Sequence, residues 1–386
     1  MNKIFYAGIF CLTVFEIANV YFIMPMPGSQ RMDSLPLAYF LYRWRWVFRG
    51  ISGLLIAAGI RPAWRKSKRL TAAALLVAGA AVYIFNFEMA ADRMFYQPRT
   101  LRMAGAGANQ VNPDKLVIGV AIDGEAKAYP IQFIGYHHQV RDTVGHTPVM
   151  VTYCTVCRSG RVYAPVVEGR SETFRLVGMD HFDAMLEDAT TGTWWRQATG
   201  EAVAGPLKGK SLPELPAAQT TLREWLVLHP DSRIMQPDSA FMEEYAHMES
   251  YDTGIGRGKL TGTDTLSWKD KSWVAGLVVR NAAKAYDWNL LKRQRVINDR
   301  VGQQPVVLVL AADGKSFFAF ERPAPETEFS LRNDTLFSAG QAWNLTGAAL
   351  TATAPLRSIT AYQEFWHSWS TFHPFTTRYP GEGLEK

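Results

Sequence analysis

Two closely spaced cysteines are the residues of this 386-residue chain whose types and positions could do chemistry together. Cys154 and Cys157 form a C-x-x-C motif. Two thiols at this spacing can close a disulfide, exchange with another thiol or bind a soft or borderline metal ion. The remaining cysteine, Cys11, lies in an apolar run near the N-terminus, where we expect a buried, inert thiol.

A disulfide with a purely structural role explains the motif poorly, because closing so short a loop removes little chain entropy. Redox C-x-x-C motifs usually sit at the start of a helix, where the thiol pKa is lowered. Here residues 148–153 predict a strand and residues 158–163 predict a turn and a second strand. This pattern does not support a thioredoxin fold, although Arg158 would favour a thiolate.

The metal hypothesis requires ligands besides the two thiols. His137 precedes the strand that leads to Cys154, so it is the first candidate, and His138 and His181 are further candidates. A site of two cysteines and one histidine with an open position would suit copper(I) or zinc.

Two other cofactors are not expected. Covalent haem c needs a histidine directly after the motif, where this chain has Arg158. The glycine-rich stretch from Gly254 to Lys259 lacks the spacing of a nucleotide phosphate loop, and we interpret it as a flexible connector.

The second half of the chain repeats the first at an offset of 157 residues. Lys127-Ala-Tyr129 recurs as Lys284-Ala-Tyr286, and a later Trp-x-x-x-His-Pro motif occurs at Trp225 and again at Trp369. Cysteines and the histidine pair occur only in the first copy, since Ala311, Gly314, Gln294 and Arg295 stand at the corresponding positions. Features that are present in one copy alone are candidates for function, so the repeat directs attention to the C-x-x-C site.

The elements that would position this site are mostly strands. Residues 117–122 and 149–153 are β-branched or aromatic runs bounded by turn residues. Short helices are predicted over 222–228 and 363–372. The predicted fold class is α+β, mostly β, with N-terminal transmembrane helices followed by a duplicated, pseudo-symmetric β-rich domain. The expected boundaries are a membrane region at 1–92, repeats at 115–233 and 273–378, and a connector at 234–272.

The net charge of +6 is unevenly distributed. Residues 1–95 contain 11 Lys and Arg against 4 Asp and Glu, whereas the remainder is nearly neutral. A nucleic-acid partner is therefore not expected, because its basic patch would lie on the folded domain. The basic excess accompanies three apolar runs, at about 4–24, 46–60 and 70–87, which indicates a lipid bilayer as a partner.

Five basic residues between Arg61 and Arg69 indicate a cytoplasmic loop. With three spans, the protein would be a multi-pass protein of the cytoplasmic (inner) membrane, with its C-terminal domain extracytoplasmic (periplasmic). With two spans that domain would be inside, so the span count stays open. Glu16 and Asn19 within the first run either serve a function or face a neighbouring helix.

Many separated motifs, in order over about 115–376, resemble the prokaryotic family called domain of unknown function 3179. The Y-C-P-L-C-G-S motif of that family is matched by Tyr153–Ser159, with Thr155 and Arg158 replacing Pro and Gly. His137 matches the histidine of its W-H-E motif. The resemblance supports the fold and the choice of site and implies no known activity.

Three functional hypotheses follow from these patterns. The first is a membrane-anchored extracytoplasmic protein whose Cys154, Cys157 and His137 bind a metal ion or carry electrons. The second is a thiol–disulfide oxidoreductase. The third is a non-catalytic module for a small ligand or an extracytoplasmic partner, in which the cysteines brace a turn.

Overall fold

The computed structural model describes residues 2–256 and 258–381 of this α+β protein. The chain divides into two units. Unit 1 comprises Met1–Tyr96, Arg170–Arg196 and Gly200–Ser211, and unit 2 comprises Gln97–Gly169, Gln197–Thr199 and Leu212–Lys386. The predicted first repeat contains segments of both units, and the predicted domain boundaries stay predictions.

The helices and strands are numbered along the chain. Within the described residues, the α-helices are α1 (Asn2–Tyr21), α2 (Leu35–Arg43), α3 (Arg45–Lys66), α4 (Lys68–Tyr83), α5 (Ala91–Met94), α6 (Ile131–His137), α7 (Leu222–Leu228), α8 (Met242–His247), α9 (Trp288–Gln294) and α10 (Trp366–Phe372). The strands are β1 (Met103–Ala104), β2 (Leu116–Ile122), β3 (Glu125–Pro130), β4 (Gln139–Val144), β5 (Thr147–Cys154), β6 (Ser159–Tyr163), β7 (Val166–Val167), β8 (Arg170–Ser171), β9 (Phe174–Asp180), β10 (Asp183–Asp188), β11 (Trp194–Arg196), β12 (Ala202–Ala204), β13 (Ala218–Thr221), β14 (Arg233–Met235), β15 (Trp273–Val279), β16 (Ala282–Asp287), β17 (Val296–Val301), β18 (Gln304–Leu310), β19 (Phe317–Glu321), β20 (Ser330–Arg332), β21 (Thr335–Ser338), β22 (Gln341–Trp343), β23 (Ser358–Ile359), β24 (Ala361–Phe365) and β25 (Thr377–Arg378).

Unit 1 is built on a bundle in which α1 and α3 run antiparallel. A Cβ atom added at Gly59 of α3 would lie 2.4 Å from the backbone nitrogen of Phe5, and one at Gly8 would lie 2.9 Å from Ile56. Small residues at these positions let the two backbones approach closely, as they do in packed membrane helices. Helix α4 packs on α1 through Ala78, and a π-helical turn, Ile84–Glu88, extends it.

Two of the described helices, Asn2–Tyr21 and Lys68–Glu88, are long and apolar enough to cross a membrane. The predicted run at 46–60 corresponds to α3, which is longer than predicted and carries Arg49 in its first turns and basic residues at its end. The described chain thus has three long N-terminal helices, of which two meet the length and hydropathy expected of a span.

The polar residues of α1 face its neighbours. The Arg49 side chain donates from Nε to Glu16 Oε1 at 2.7 Å and from Nη2 to Asn86 Oδ1 at 2.6 Å. Asn86 Nδ2 in turn donates to Glu16 Oε2 at 2.8 Å. Glu16 is fully buried, and the arginine satisfies its charge, which is the condition for keeping a carboxylate among apolar helices.

A four-stranded antiparallel sheet of order β12-β11-β10-β9 completes unit 1. Its edge strand β9 meets the chain just after α1, where Met179 donates its backbone N–H to Ile23 at 2.7 Å. The side of β9 and β10 that carries Arg175 and Glu187 therefore lies near the end of the helix bundle.

Two sheets of unit 2 share a four-strand pattern, β14-β3-β2-β13 in a sheet that β1 extends to five strands, and β25-β16-β15-β24 in the other. The segments β2-β3-α6-β4 and β15-β16-α9-β17 have matching bounds at the offset of 157 residues between Leu116 and Trp273. Helix α7 has its predicted bounds. Helix α10 begins at Trp366 rather than Gln363, because residues 361–365 pair with β15 as a strand.

The connector predicted at 234–272 is partly ordered into α8 and two 3-10 turns. Its residue Arg257 lies outside the described residues.

In each of these two sheets, a glycine packs directly against a tryptophan ring of a helix, α7 in one case and α10 in the other. A Cβ atom added at Gly119 would lie 2.3 Å from the Trp225 ring, and one at Gly276 would lie 2.1 Å from the Trp369 ring. The imidazoles of His229 and His373, which follow these helices, each lie 4.1 Å from the tryptophan ring in a tilted arrangement. Both histidines therefore have a packing role.

We expect Gly119→Ala to lower the free energy of unfolding by about 1–3 kcal/mol, because the methyl group would displace the buried Trp225 ring. Chemical unfolding of the full chain in detergent measures the change. Gly107→Ala is the matched control, since a Cβ atom there meets nothing within 4 Å. Equal midpoints for the two variants would contradict the packing argument.

Candidate metal centre

The two cysteines lie at the turn of a β-hairpin. Cys154 is the last residue of β5 and pairs with Ser159, the first residue of β6, so Cys157 lies in the intervening turn. Arg158 closes the turn with a left-handed φ of 59°, at the position where the related motif has glycine. No helix begins at the motif, in agreement with the predicted turn and strand.

Both thiols are completely buried, and no disulfide joins them. Their sulfur atoms lie within 4.8 Å of each other. Two zinc–sulfur bonds of ~2.3 Å each can span ~4.6 Å, so the separation is within reach of a shared metal ion. The two cysteines therefore form a possible pair of metal ligands within unit 2.

Three backbone carbonyls of the turn accept hydrogen bonds from distant residues of unit 2. The Tyr251 hydroxyl donates to Thr155 O at 2.9 Å, and Lys271 Nζ donates to Val156 O at 2.6 Å. The backbone N–H of Phe365 donates to Cys157 O at 2.9 Å. These bonds fix the turn that carries the thiols, which satisfies its buried carbonyl groups and preorganises the sulfurs.

Lys271 is the charged group whose field acts on both cysteines. Burial lowers the pKa of Lys271, and its interactions with Cys157 and Cys154 oppose that shift. The Nζ atom also donates to Leu260 O at 2.6 Å and lies 3.2 Å from His367 Nε2. A cation held at this position favours the thiolate form of its neighbours, which is the form that binds metals.

His367 lies beside this lysine and contributes no positive charge near neutral pH. Burial, together with the nearby Lys271, lowers the pKa of His367 to about 4. Its Nε2 atom is 3.2 Å from Val156 O. The imidazole is thus a neutral hydrogen-bonding group on the carbonyl between the two cysteines.

Arg158 is 1% exposed and anchors the turn from the other side. Its Nε donates to Gln363 Oε1 at 2.8 Å, and its guanidinium lies 3.7 Å above the Trp273 ring. Stacking and hydrogen bonding together account for the burial of this arginine. Arg158, at the position of the motif's glycine, therefore adds contacts that hold the hairpin to distant residues of unit 2.

The predicted histidine ligands have other partners in the structure. His137 is buried, with Nε2 2.6 Å from the Tyr245 hydroxyl, and its ring packs edge-on against Phe241. His138 Nδ1 lies 3.1 Å from Tyr136 O, and burial lowers the pKa of His138 to about 4.

His181, in unit 1, hydrogen bonds from Nδ1 to Asp180 at 2.7 Å. This bond raises the pKa of His181. A ligand role for the histidines stays a prediction.

Several residues of the site could not be identified from sequence patterns. Tyr251 and Lys271 belong to the segment interpreted as a connector, and His367 and Phe365 belong to the second repeat. No local motif marks them, since each is more than 90 residues from the turn it contacts. The one signal in the sequence was that Lys271 is a basic residue in a connector to which no other role was assigned.

Together, the fold and the site define an α+β protein with a buried dithiol group on a β-hairpin that distant residues of unit 2 hold in place. The family model described as a protein of unknown function, DUF3179, matches residues 96–376. The chain belongs to this family, as its motifs indicated. No curated protein and no solved structure matches it.

Proposed function

We propose that the protein binds one soft or borderline metal ion, zinc or copper(I), through the thiolates of Cys154 and Cys157. The observation that carries the proposal is the pair of buried sulfurs within 4.8 Å of each other, on a turn in which the carbonyls of Thr155, Val156 and Cys157 are hydrogen-bonded. Thiolates select zinc and copper(I) over harder cations.

The charges of the site support a cation. Two thiolates without a counter-ion would be costly in a buried site, and Lys271 compensates one of them. A monovalent copper ion would compensate the second. A zinc ion would additionally accommodate one anionic ligand. Complete burial of both sulfurs favours a bound ion over thiol exchange, which requires access for the partner thiol.

We further propose that the site belongs to the first of two duplicated halves and lies on the extracytoplasmic side. Matching bounds of the segments that begin at Leu116 and Trp273 support the duplication.

The packing of α1, α3 and α4, with Glu16 neutralising Arg49 between helices, supports three spans. The basic residues around the α3–α4 loop support a cytoplasmic position for that loop. A reporter enzyme active only in the periplasm, fused to the C-terminus, tests the orientation.

Metal titration of the reduced full-length protein in detergent tests the metal proposal. We expect one zinc or copper(I) ion per chain to remain bound after gel filtration. Copper(I) that binds more tightly than zinc would favour the two-sulfur site, and the reverse order would favour participation of a carboxylate. A chain that retains neither ion would contradict the proposal.

Lys271→Met should weaken metal binding about tenfold at pH 7, because the thiolates lose their neighbouring cation and protons compete better for the sulfurs. The pH at which half of the metal is released should move upward. Lys269→Met, which removes an exposed positive charge two residues away, is the matched control. Equal affinities of the two variants would show that Lys271 acts only as a structural contact.

A further inference from the structure

Unit 1 contains a cavity of about 510 Å³ that the metal proposal does not use. It lies where α1 ends and α3 begins, next to the end of the π-helical turn after α4. Four arginines line it, Arg45, Arg49, Arg93 and Arg175. This number of guanidinium groups around one cavity is unusual next to apolar helices and suggests an anionic ligand.

Two of the four arginines are neutralised by carboxylates. Arg49 is paired with Glu16 at 2.7 Å. Arg175 contacts Glu187 at 2.8 Å and Asp92 at 3.2 Å, so it occupies both carboxylates that line the cavity. These ion pairs form part of the cavity wall. The two carboxylates of the wall are therefore already paired with Arg175.

The other two arginines have no carboxylate partner among the described residues. Arg45 donates from Nη1 to Tyr42 O at 2.8 Å and stacks 4.0 Å from the Tyr42 ring, which leaves most of its donors available. Arg93 is exposed and lies 5.8 Å from the Phe87 ring. The cavity thus presents two uncompensated guanidinium groups, a number that suits a phosphate ester.

Asn19 provides an independent indication of a ligand. Its side chain lines the cavity and is 7% exposed, and its Oδ1 atom has no hydrogen-bond partner within the described chain. A buried amide oxygen without a partner is costly unless a ligand or water donates to it. A hydroxyl group next to the phosphate of the ligand would satisfy this acceptor.

The surroundings of the cavity match the level of lipid headgroups. Trp44, Trp46 and Tyr83, at the same ends of α3 and α4, are 51%, 70% and 55% exposed. Aromatic residues with this exposure are typical of the membrane–water interface. Apolar side chains such as Phe85 and Met89 form part of the wall and could contact the start of an acyl chain.

We propose that this cavity binds the phosphate ester of an anionic phospholipid with a hydroxyl-bearing headgroup. Arg45 and Arg93 contact the phosphate, and Asn19 accepts a hydrogen bond from the headgroup hydroxyl. The proposal rests on the membrane placement of unit 1 and shares no residue with the metal centre. Its failure is therefore distinguishable from failure of the metal proposal.

The test uses the full-length protein in a neutral detergent and three probes, dioctanoyl phosphatidylglycerol, dioctanoyl phosphatidylcholine and glycerol 1-phosphate. We expect saturable thermal stabilisation by phosphatidylglycerol, with at least tenfold weaker binding of the other two. Arg45→Gln/Arg93→Gln should weaken phosphatidylglycerol binding at least tenfold. Arg65→Gln/Arg69→Gln, which removes two exposed arginines at the opposite end of the bundle, is the matched control and should bind normally.

A second variant covers the case in which the double arginine variant does not fold. Asn19→Leu should reduce the preference for phosphatidylglycerol over dioctanoyl phosphatidic acid and leave phosphate binding intact. Equal binding of phosphatidylglycerol and phosphatidylcholine, or normal binding by the double arginine variant, would overturn the proposal. Equally tight binding of glycerol 1-phosphate would identify a site for a soluble phosphate ester instead. Recovery of the protein in the soluble fraction without detergent would separately contradict the membrane placement.

Discussion

Cys154→Ser/Cys157→Ser should abolish metal binding, from about one ion per chain to a background level. Serine nearly conserves the volume of cysteine, so the hairpin and its buried surroundings stay packed, but a neutral hydroxyl is a poor ligand for a soft ion. Elemental analysis of the purified full-length protein, after incubation with zinc or copper(I) under reducing conditions, measures this loss.

Cys11→Ser is the matched control for the double variant. Cys11 is the remaining cysteine, and it lies on α1 in unit 1, so its replacement should leave the metal content unchanged. Equal metal content in the double variant and in the wild type would exclude the two thiols as ligands. Single replacements test each cysteine separately, since the loss of one thiolate should weaken metal binding by more than tenfold at either position.

The same variants separate metal binding from thiol exchange. An oxidoreductase would form mixed disulfides with partner thiols through Cys154 or Cys157, and a single Cys→Ser replacement would trap them. Because both sulfurs are buried, we expect no such trapped species after oxidation of the native protein. A trapped mixed disulfide would favour the redox hypothesis.

The second large effect is expected at a buried ion pair between strands β6 and β24 of unit 2, which belong to different sheets. Arg161 on β6 pairs with Glu364 on β24, and the two side chains are 3% and 1% exposed. Burial acts to lower the pKa of Arg161, but the Glu364 carboxylate and nearby tyrosines outweigh it and raise the pKa. The Arg161 guanidinium also lies 3.7 Å from the centre of the Tyr362 ring.

Arg161→Leu should lower the free energy of unfolding by about 3–5 kcal/mol, because it leaves the Glu364 carboxylate buried without its partner. Arg161→Leu/Glu364→Leu should recover most of that loss, since it removes both charges and their desolvation costs. Denaturant unfolding of the full chain in detergent, followed by tryptophan fluorescence, measures both changes.

Arg223→Leu is the control for removal of an arginine from an ion pair. Arg223 pairs with Asp114 at the surface, where solvent screens the interaction, so little change in midpoint is expected. An Arg161→Leu midpoint equal to that of Arg223→Leu would show that the pair between β6 and β24 contributes nothing to stability.

Local patterns in the sequence were sufficient for much of the secondary structure. The bounds of α7 and the strand after the C-x-x-C turn agree with the predictions, because apolar runs and turn residues act over a few positions. The offset of 157 residues predicted matching segments, and the segments that begin at Leu116 and Trp273 have matching bounds. Family membership also followed from motifs in order.

The partners of these elements were decided by tertiary packing. Glu16 meets Arg49 because α1 and α3 are antiparallel, and the spacing of charges along either helix does not specify that pairing. In the same way, His137 was predicted next to the thiols from its position along the chain. The packing of α6 on α8 brings its Nε2 to 2.6 Å from the Tyr245 hydroxyl, a contact that the position of His137 along the chain does not specify.

The sequence by itself determined that two thiols stand on a turn between strands, in only one of two related segments. The tertiary structure alone decided what surrounds them. Lys271 and His367 reach the Val156 carbonyl from 115 and 211 residues away. Such contacts arise when separate sheets pack to bury their apolar faces, and the free energy of that packing is spread over many residues. No short pattern in the chain encodes it, so the charges next to the cysteines are visible only in the folded protein.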